Sequence, residues 1–380
     1  MVDAQHLTAF CQAQQDWLLA TTRALVALES PTDDKAAVDA CGAELSRRLV
    51  ALGARVTEIA MTTAGNHLRA ELGSGQRQIM LLGHFDTVWP VGQIARMPLA
   101  QEGDLLRGPG VFDMKAGIAL GLLAARALLE NGSLSDVRLV MLWTADEETG
   151  SRTSREFLEA EARKSDAVLV LEPALPGGAL KTRRKGCGEY EVVVHGVAAH
   201  AGVDPGKGVS AIRELARQVL VIETLQDLTR GISINVGVVE GGSRPNVVAA
   251  EARALVDARA PTQADAARID AVLRALTPHL RGATVEVRGG FSRPPMERTV
   301  GVARLYQTAQ AAAADLGLTI DEGATGGGSD GNFAAALGVP TLDGLGAVGD
   351  GAHALHEHVE VPALAPRAAL LARIIQRLVA

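Results

Sequence analysis

Aromatic side chains are scarce: Phe, Tyr and Trp make up 3% of the 380 residues. Ala, Val and Leu must therefore carry most of the packing in a chain that is 47% hydrophobic. Cysteine is equally thin. Cys11, Cys41 and Cys187 lie far apart and form no Cys-x-x-Cys pair, which argues against a disulfide framework and a thiolate zinc site. No block of Lys and Arg stands out, and the formal net charge of −7 argues against a nucleic-acid partner. The chain does not open on a basic segment: Asp3 comes early, and no small-residue cleavage site follows the first apolar stretch. The most apolar run, 116–129, is interrupted by Arg126 and is too short to span a bilayer. The expectation is a soluble protein of a reducing compartment, the cytoplasm, with no membrane partner.

What is present is enough chain for two domains. Residues 7–28 read as one amphipathic helix, and Asp33 or Asp34 can cap a second over 35–52 that Gly53 closes. Strands are expected at 55–59, 67–72, 78–82, 137–143 and 167–171, with an apolar helix at 118–129. This is the pattern of an α/β layered domain. After Pro176-Gly177-Gly178 the order becomes strand, helix, strand, strand, helix, strand, the split βαβ or ferredoxin-like signature. We therefore expect an inserted α+β domain at 185–290, interrupting a first domain made of 1–184 and 291–380.

Chemistry-bearing residues gather where the apolar strands end. The run Met80-Leu81-Leu82-Gly83 delivers His84 and, two residues on, Asp86. Residues i and i+2 of an extended chain share a face, so Asp86 can bind the same ion as His84 or orient its ring. Asp113 opens the apolar helix, Glu147-Glu148 follows the 137–143 strand, and Glu172 follows the 167–171 strand. Each has an ordinary reading on its own: Asp113 as a helix cap, the Glu pair as a solvated helix start, Glu172 as a loop acid. Their recurrence at successive strand ends, with His353 late in the chain, fits a dinuclear site for zinc or a similar divalent ion. Of two adjacent glutamates, one can bind metal while the other holds the proton of an activated water.

Three stretches together resemble the co-catalytic di-zinc family of glutamate carboxypeptidases, acetylornithine deacetylases, succinyl-diaminopimelate desuccinylases and aminoacylases. They are Gly83-His84-Phe85-Asp86-Thr87-Val88, then Gly108-Pro109-Gly110-Val111-Phe112-Asp113-Met114-Lys115, then Thr144-Ala145-Asp146-Glu147-Glu148-Thr149-Gly150. Leu171-Glu172-Pro173 and Gly326-Gly327-Gly328-Ser329-Asp330 bring the chain nearest to the glutamate carboxypeptidases. The resemblance implies a zinc-exopeptidase-like catalytic domain, a mixed sheet flanked by helices, with the insertion serving as lid and dimerisation domain. It implies that His84, Asp113 and Glu172 hold one Zn2+ and that Asp113, Glu148 and His353 hold the other, with Co2+ or Mn2+ as substitutes. Asp86 would fix His84, Glu147 would be the general base, and the Asp113–Met114 peptide would be cis. His200 would support the developing oxyanion, usually across a homodimer interface. Asn246 would contact the carbonyl, Arg259 would clamp a carboxylate, and Gly327 and Gly328 would offer N–H groups to an anionic end.

The implied activity is hydrolysis of an amide to an amino acid with a free carboxylate, foremost the removal of a C-terminal acidic residue from a peptide. An N-acyl-amino-acid deacylase of the acetylornithine deacetylase kind, or a dipeptidase, would share every metal ligand. A non-catalytic binding relative would be marked by loss of Glu147 or of a ligand, and all of these positions are filled.

Overall fold

The computed structural model describes residues 4–135 and 137–379. The chain divides into two compact units. One comprises the described residues up to Thr182, Arg298–Ala324 and those from Ser329 onward; the other comprises Arg183–Glu297 and Thr325–Gly328.

The first unit is built on a six-stranded mixed sheet. Its order across the sheet is Arg55–Ile59, His67–Leu72, Val137–Thr144, Arg77–His84, Ala167–Val170 and Thr341–Leu342. The first two strands are antiparallel to each other, and His67–Leu72 is antiparallel to Val137–Thr144. The remaining pairs are parallel. Arg77–His84 is buried at every position after Arg77, as expected of a central strand covered on both faces. Alternate side chains serve different cores. Ile79 and Leu81 join the large core with the helix Ala116–Glu130, whereas Met80 and Leu82 pack with Leu158 and Phe333 on the other side. Ala116–Glu130 is buried almost all round, because its polar face is missing from the sequence. Truncating a buried leucine such as Leu81 to alanine would cost about 2–5 kcal/mol.

The second unit has a four-stranded antiparallel sheet in the order Ser233–Gly241, Glu251–Ala260, Gly186–His195 and Thr284–Arg293. Helices Ala211–Glu223 and Gln263–Arg274 cover one face. The strict alternation of Glu251–Ala260 turns Ala252, Ala254, Val256, Ala258 and Ala260 toward Leu215, Ile222, Ile269 and Leu273. Small inward residues let these helices lie close to the sheet, which is how a unit so poor in aromatics fills its core.

Capping follows the sequence signals. Asp34 accepts from Ala37 N at 3.1 Å, Thr262 from Asp265 N at 3.1 Å and Thr299 from Val302 N at 3.3 Å. The single helix expected over 7–28 is instead two, Ala4–Ala13 and Gln15–Val26, separated at Gln14. No Gly or Pro marks the break, and Leu18 N still reaches Gln14 O at 2.9 Å, so the apolar period runs through it unchanged. Among the described residues no helix is long and apolar enough to cross a membrane.

Candidate metal centre

Parallel register brings the acids together. His84 stands opposite Thr144, and Leu82 opposite both Leu142 and Val170. The C-terminal ends of three adjacent strands are therefore level, and Asp86, Glu147-Glu148 and Glu172 leave the sheet along one edge, where open α/β sheets carry their sites. Gly83 is required for this approach: a Cβ there would lie 2.5 Å from Met114 Cε and 3.0 Å from Trp143 Cζ3. Asp113 arrives on the turn that opens Ala116–Glu130, and the Asp113–Met114 peptide is cis. His353 comes from a turn at φ 60, a conformation worth about 1–3 kcal/mol of strain for a residue with a Cβ.

Two groups converge, His84 with Asp113 and Glu172, and Asp113 with Glu148 and His353. His84 Nε2 lies 3.2 Å from Asp113 Oδ1 and 3.5 Å from Glu172 Oε1. His353 Nε2 lies 3.4 Å from Asp113 Oδ2 and 3.3 Å from Glu148 Oε2. Charge-assisted N–H···O contacts close to about 2.7–2.9 Å. A tetrahedral ion with bonds of about 2.0–2.1 Å holds its ligands about 3.3–3.4 Å apart. The spacings match a shared cation better than direct hydrogen bonds. Glu148 Oε1 is buried with no hydrogen-bond partner among the described residues, a further sign that this cluster is built to be completed by a positive ion. The donor set of imidazoles and carboxylates, with one carboxylate facing both ways, suits a pair of divalent ions.

The electrostatics agree. Burial opposes a charged ring at His84, but Asp113, Asp86 and Glu172 outweigh it and lift its pKa well above the ordinary value. The carboxylates of Asp113 and Glu148 lift His353 to about 10. Burial opposes a charged Asp113, yet the imidazoles of His353 and His84 hold its carboxyl well below the usual range. Burial, with Asp113 close by, pushes Glu148 up. Without metal, the surrounding acids favour the protonated form of both histidines.

Asp86 divides its work. His84 Nδ1 is 3.0 Å from the Asp86 backbone oxygen and 3.4 Å from its carboxylate, so the carbonyl holds the ring with Nε2 facing the cluster. The carboxylate accepts instead from Thr32 Oγ1 at 2.7 Å, Glu147 N at 3.3 Å and Glu148 N at 3.2 Å. It anchors the turn that carries both glutamates. Behind that turn Asp146 Oδ2 accepts from Thr153 N and Oγ1, and Asp330 from Thr144 Oγ1 and Ser151 Oγ.

Sequence reasoning passed over Glu357. It lies in an exposed-looking run of histidines and acids, yet it is buried against the Asp113 turn. Its only local signal is the spacing of four residues from His353.

The other sequence-derived residues fall in the second unit, in two groups. His200 and Asn246 are exposed and adjacent: Ala201 N donates to Asn246 O at 2.9 Å, and His200 bridges Val247. His200 Nδ1 accepts from Gly202 N and Val203 N, both at 3.1 Å, so a neutral ring carries its proton on Nε2. Arg259 meets the glycine loop around Cys187. Its guanidinium donates to both oxygens of Asp257, at 2.9 and 2.7 Å, and to Cys187 Sγ. A Cβ on Gly328 would lie 3.0 Å from Cys187 Sγ and from Arg293 Cδ, whereas one on Gly327 would meet nothing. Arg184 holds the loop by donating to the carbonyls of Gly327 and Gly328 at 3.1 Å.

A family model described as Peptidase family M20/M25/M40 matches residues 80–377. The chain is 32% identical over 376 residues to carboxypeptidase G2 of Pseudomonas sp. (strain RS-16), covering 96% of this chain and 90% of that protein. It is 29% identical over 375 residues to succinyl-diaminopimelate desuccinylase of Xanthomonas oryzae pv. oryzae, covering 93% and 96%. The crystal structure of aminopeptidase PepT from Bacillus cereus superposes with a TM-score of 0.78 at 25% identity, over 96% of this chain and 98% of that one. The chain, in which the level strand ends of a mixed sheet bring two candidate ligand triads around one aspartate, belongs to the M20/M25/M40 family of metal-dependent peptidases.

Proposed function

We propose that the protein is a dinuclear zinc carboxypeptidase that releases a C-terminal acidic residue. The observation that carries this is Asp113, whose two oxygens face separate triads at 3.2 and 3.4 Å from His84 and His353. His84, Asp113 and Glu172 would hold one ion; Asp113, Glu148 and His353 would hold the other. When bound, such a pair polarises the scissile carbonyl and makes water a nucleophile near neutral pH. Glu147, on the turn fixed by Asp86, takes the proton from the attacking water. As the C–N bond breaks it returns that proton to the leaving nitrogen, freeing the amino acid as its amine. His200, with Nε2–H outward, donates to the carbonyl oxygen as charge develops, and Asn246 holds the same group. Arg259 clamps the α-carboxylate by exchanging an edge of its pairing with Asp257. Gly327 and Gly328 present backbone N–H groups to the substrate's anionic end.

The second unit acts in this proposal as lid and homodimer contact. Its outer strand Ser233–Gly241 pairs on one side with Glu251–Ala260, which leaves an edge suited to a second copy. Free thiols at Cys11, Cys41 and Cys187 suit a reducing compartment such as the cytoplasm. The carboxypeptidase reading is supported by the 32% identity to carboxypeptidase G2, and the acidic preference rests on the resemblance of Leu171-Glu172-Pro173 and Gly326-Gly327-Gly328-Ser329-Asp330 to the glutamate carboxypeptidases; the desuccinylase likeness supports an N-acyl amino acid deacylase as the second reading. The test is a product screen with zinc-loaded protein on peptides ending in Glu, Asp or neutral residues and on N-acetyl and N-succinyl amino acids. Faster release of Glu or Asp, stopped by a chelator, is expected. Preference for the acyl amino acids would select the second reading, and no amino acid released from any of them would overturn both.

A further inference from the structure

The residue that joins the separate ligand-bearing segments is not a ligand. Glu357 is buried to 1% exposure, and each of its carboxylate oxygens accepts two N–H groups. Oε2 takes Trp89 Nε1 at 2.8 Å and Gly110 N at 2.9 Å. Oε1 takes Phe112 N at 2.9 Å and Asp113 N at 3.0 Å. Trp89 stands on the loop that leaves His84 and Asp86, and Gly110 to Asp113 form the turn that presents the shared carboxylate. Glu357 itself closes the turn that carries His353, where Ala354 N donates to Gly351 O at 2.8 Å and Glu357 N to Ala354 O at 3.0 Å. One carboxylate thus pins three segments distant in sequence, with no acceptor site spent on a cation.

We propose that Glu357 is a positioning residue that fixes Asp113 relative to His353 and so sets the affinity of the second ion; this rests on the two-cation reading above. A purely acceptor-only group is needed here. Four donors converge on two oxygens, so a neutral amide of the same size must point its NH2 at two N–H groups whichever way it is turned. Partners of this kind orient the ligands of metal sites, and their loss weakens binding by about 10–100-fold.

The test is titration of the metal-free full chain with Co2+, following its visible absorption together with competition by a chromophoric chelator. Wild type is expected to take two ions. Glu357→Gln should weaken the second ion by about 10–100-fold and alter the Co2+ absorption band that accompanies it, with the fold retained by circular dichroism. Trp89→Phe, which removes one donor of four, should weaken it by about fivefold. Asp315→Asn breaks the contacts with Arg373 and Arg377, far along the chain from every ligand, and serves as the control for simple destabilisation. It should lower the melting temperature and leave both Co2+ affinities unchanged. If Glu357→Gln does not fold, Trp89→Phe decides alone. Both Co2+ affinities within about threefold of wild type in the folded variants would overturn the role of Glu357. A wild-type protein that takes fewer than two Co2+ ions would instead overturn the two-cation reading beneath it.

Discussion

The two units hold their proposed functional residues in different ways. In the first, His84, Glu148 and Glu172 are nearly sealed while His353 stays half exposed, and the segments that carry them are pinned by Asp86, Asp146, Asp330 and Glu357. In the second, His200 and Asn246 are exposed on a loop held mainly by its own backbone, and Arg259 is committed to a neighbouring aspartate. Chemistry that depends on ångström-scale spacing is built on strand ends and buried hydrogen bonds. Of the residues proposed to meet a substrate, His200 and Asn246 sit on loops, where a chain can adjust. A family whose members differ in substrate can vary the second kind without disturbing the first.

The sharpest way to break this contrast is at Glu147, which is in the first unit without being a proposed ligand. Glu147→Ala is expected to lower kcat by about 10³-fold while zinc content stays near two per chain. Zinc loss in step with activity would make it a ligand and erase the distinction. His200→Ala should come next, lowering kcat by about 10²-fold with metal content and melting temperature unchanged. Mixing His200→Ala with Glu147→Ala subunits should recover activity if the histidine serves a partner's site. No recovery would confine it to its own subunit.

The remaining effect is electrostatic, and it is the smallest when counted per pH unit. His353 is held at about 10 by Asp113 and Glu148, and His84 is raised as well. In the metal-free protein this stabilisation is full below about pH 6.5 and is lost as pH rises through about 10. Ion binding must displace the protons, so affinity should rise about tenfold or more per pH unit between about 6.5 and 9. Calorimetry in buffers of different ionisation enthalpy should record at least one proton released per pair of ions. No release would mean that the histidines stand neutral before metal arrives.

Much of the layout was legible because it obeys local rules. The strands Arg55–Ile59 and His67–Leu72 follow their apolar patterns to the residue, and Asp34 caps where an aspartate before a helix should. The ligand candidates could be found because each stands at the end of an apolar run. Features made by distant pairing were not legible. The small sheet of Ala100–Glu102, Leu105–Arg107, Gly349–Asp350 and His358–Glu360 has strands of two or three residues, too short to show a period. Glu357 belongs to that class: an acid among polar neighbours reads as solvated until the turn that it receives is seen. The break at Gln14 has no sequence mark at all. Asp86 shows an intermediate case, since its place beside His84 could be read, but the division between its carbonyl and its carboxylate could not.

The order of the proposed ligands along the chain has a consequence for synthesis. His84, Asp113, Glu148 and Glu172 all precede the second unit, whereas His353 follows it, as does the strand Thr341–Leu342 that completes the sheet. A growing chain therefore holds all the residues of one proposed triad early, whereas the other lacks a member until the segment with His353 has been made. On the proposed two-ion chemistry, the whole of the second unit is synthesised before the site can be complete.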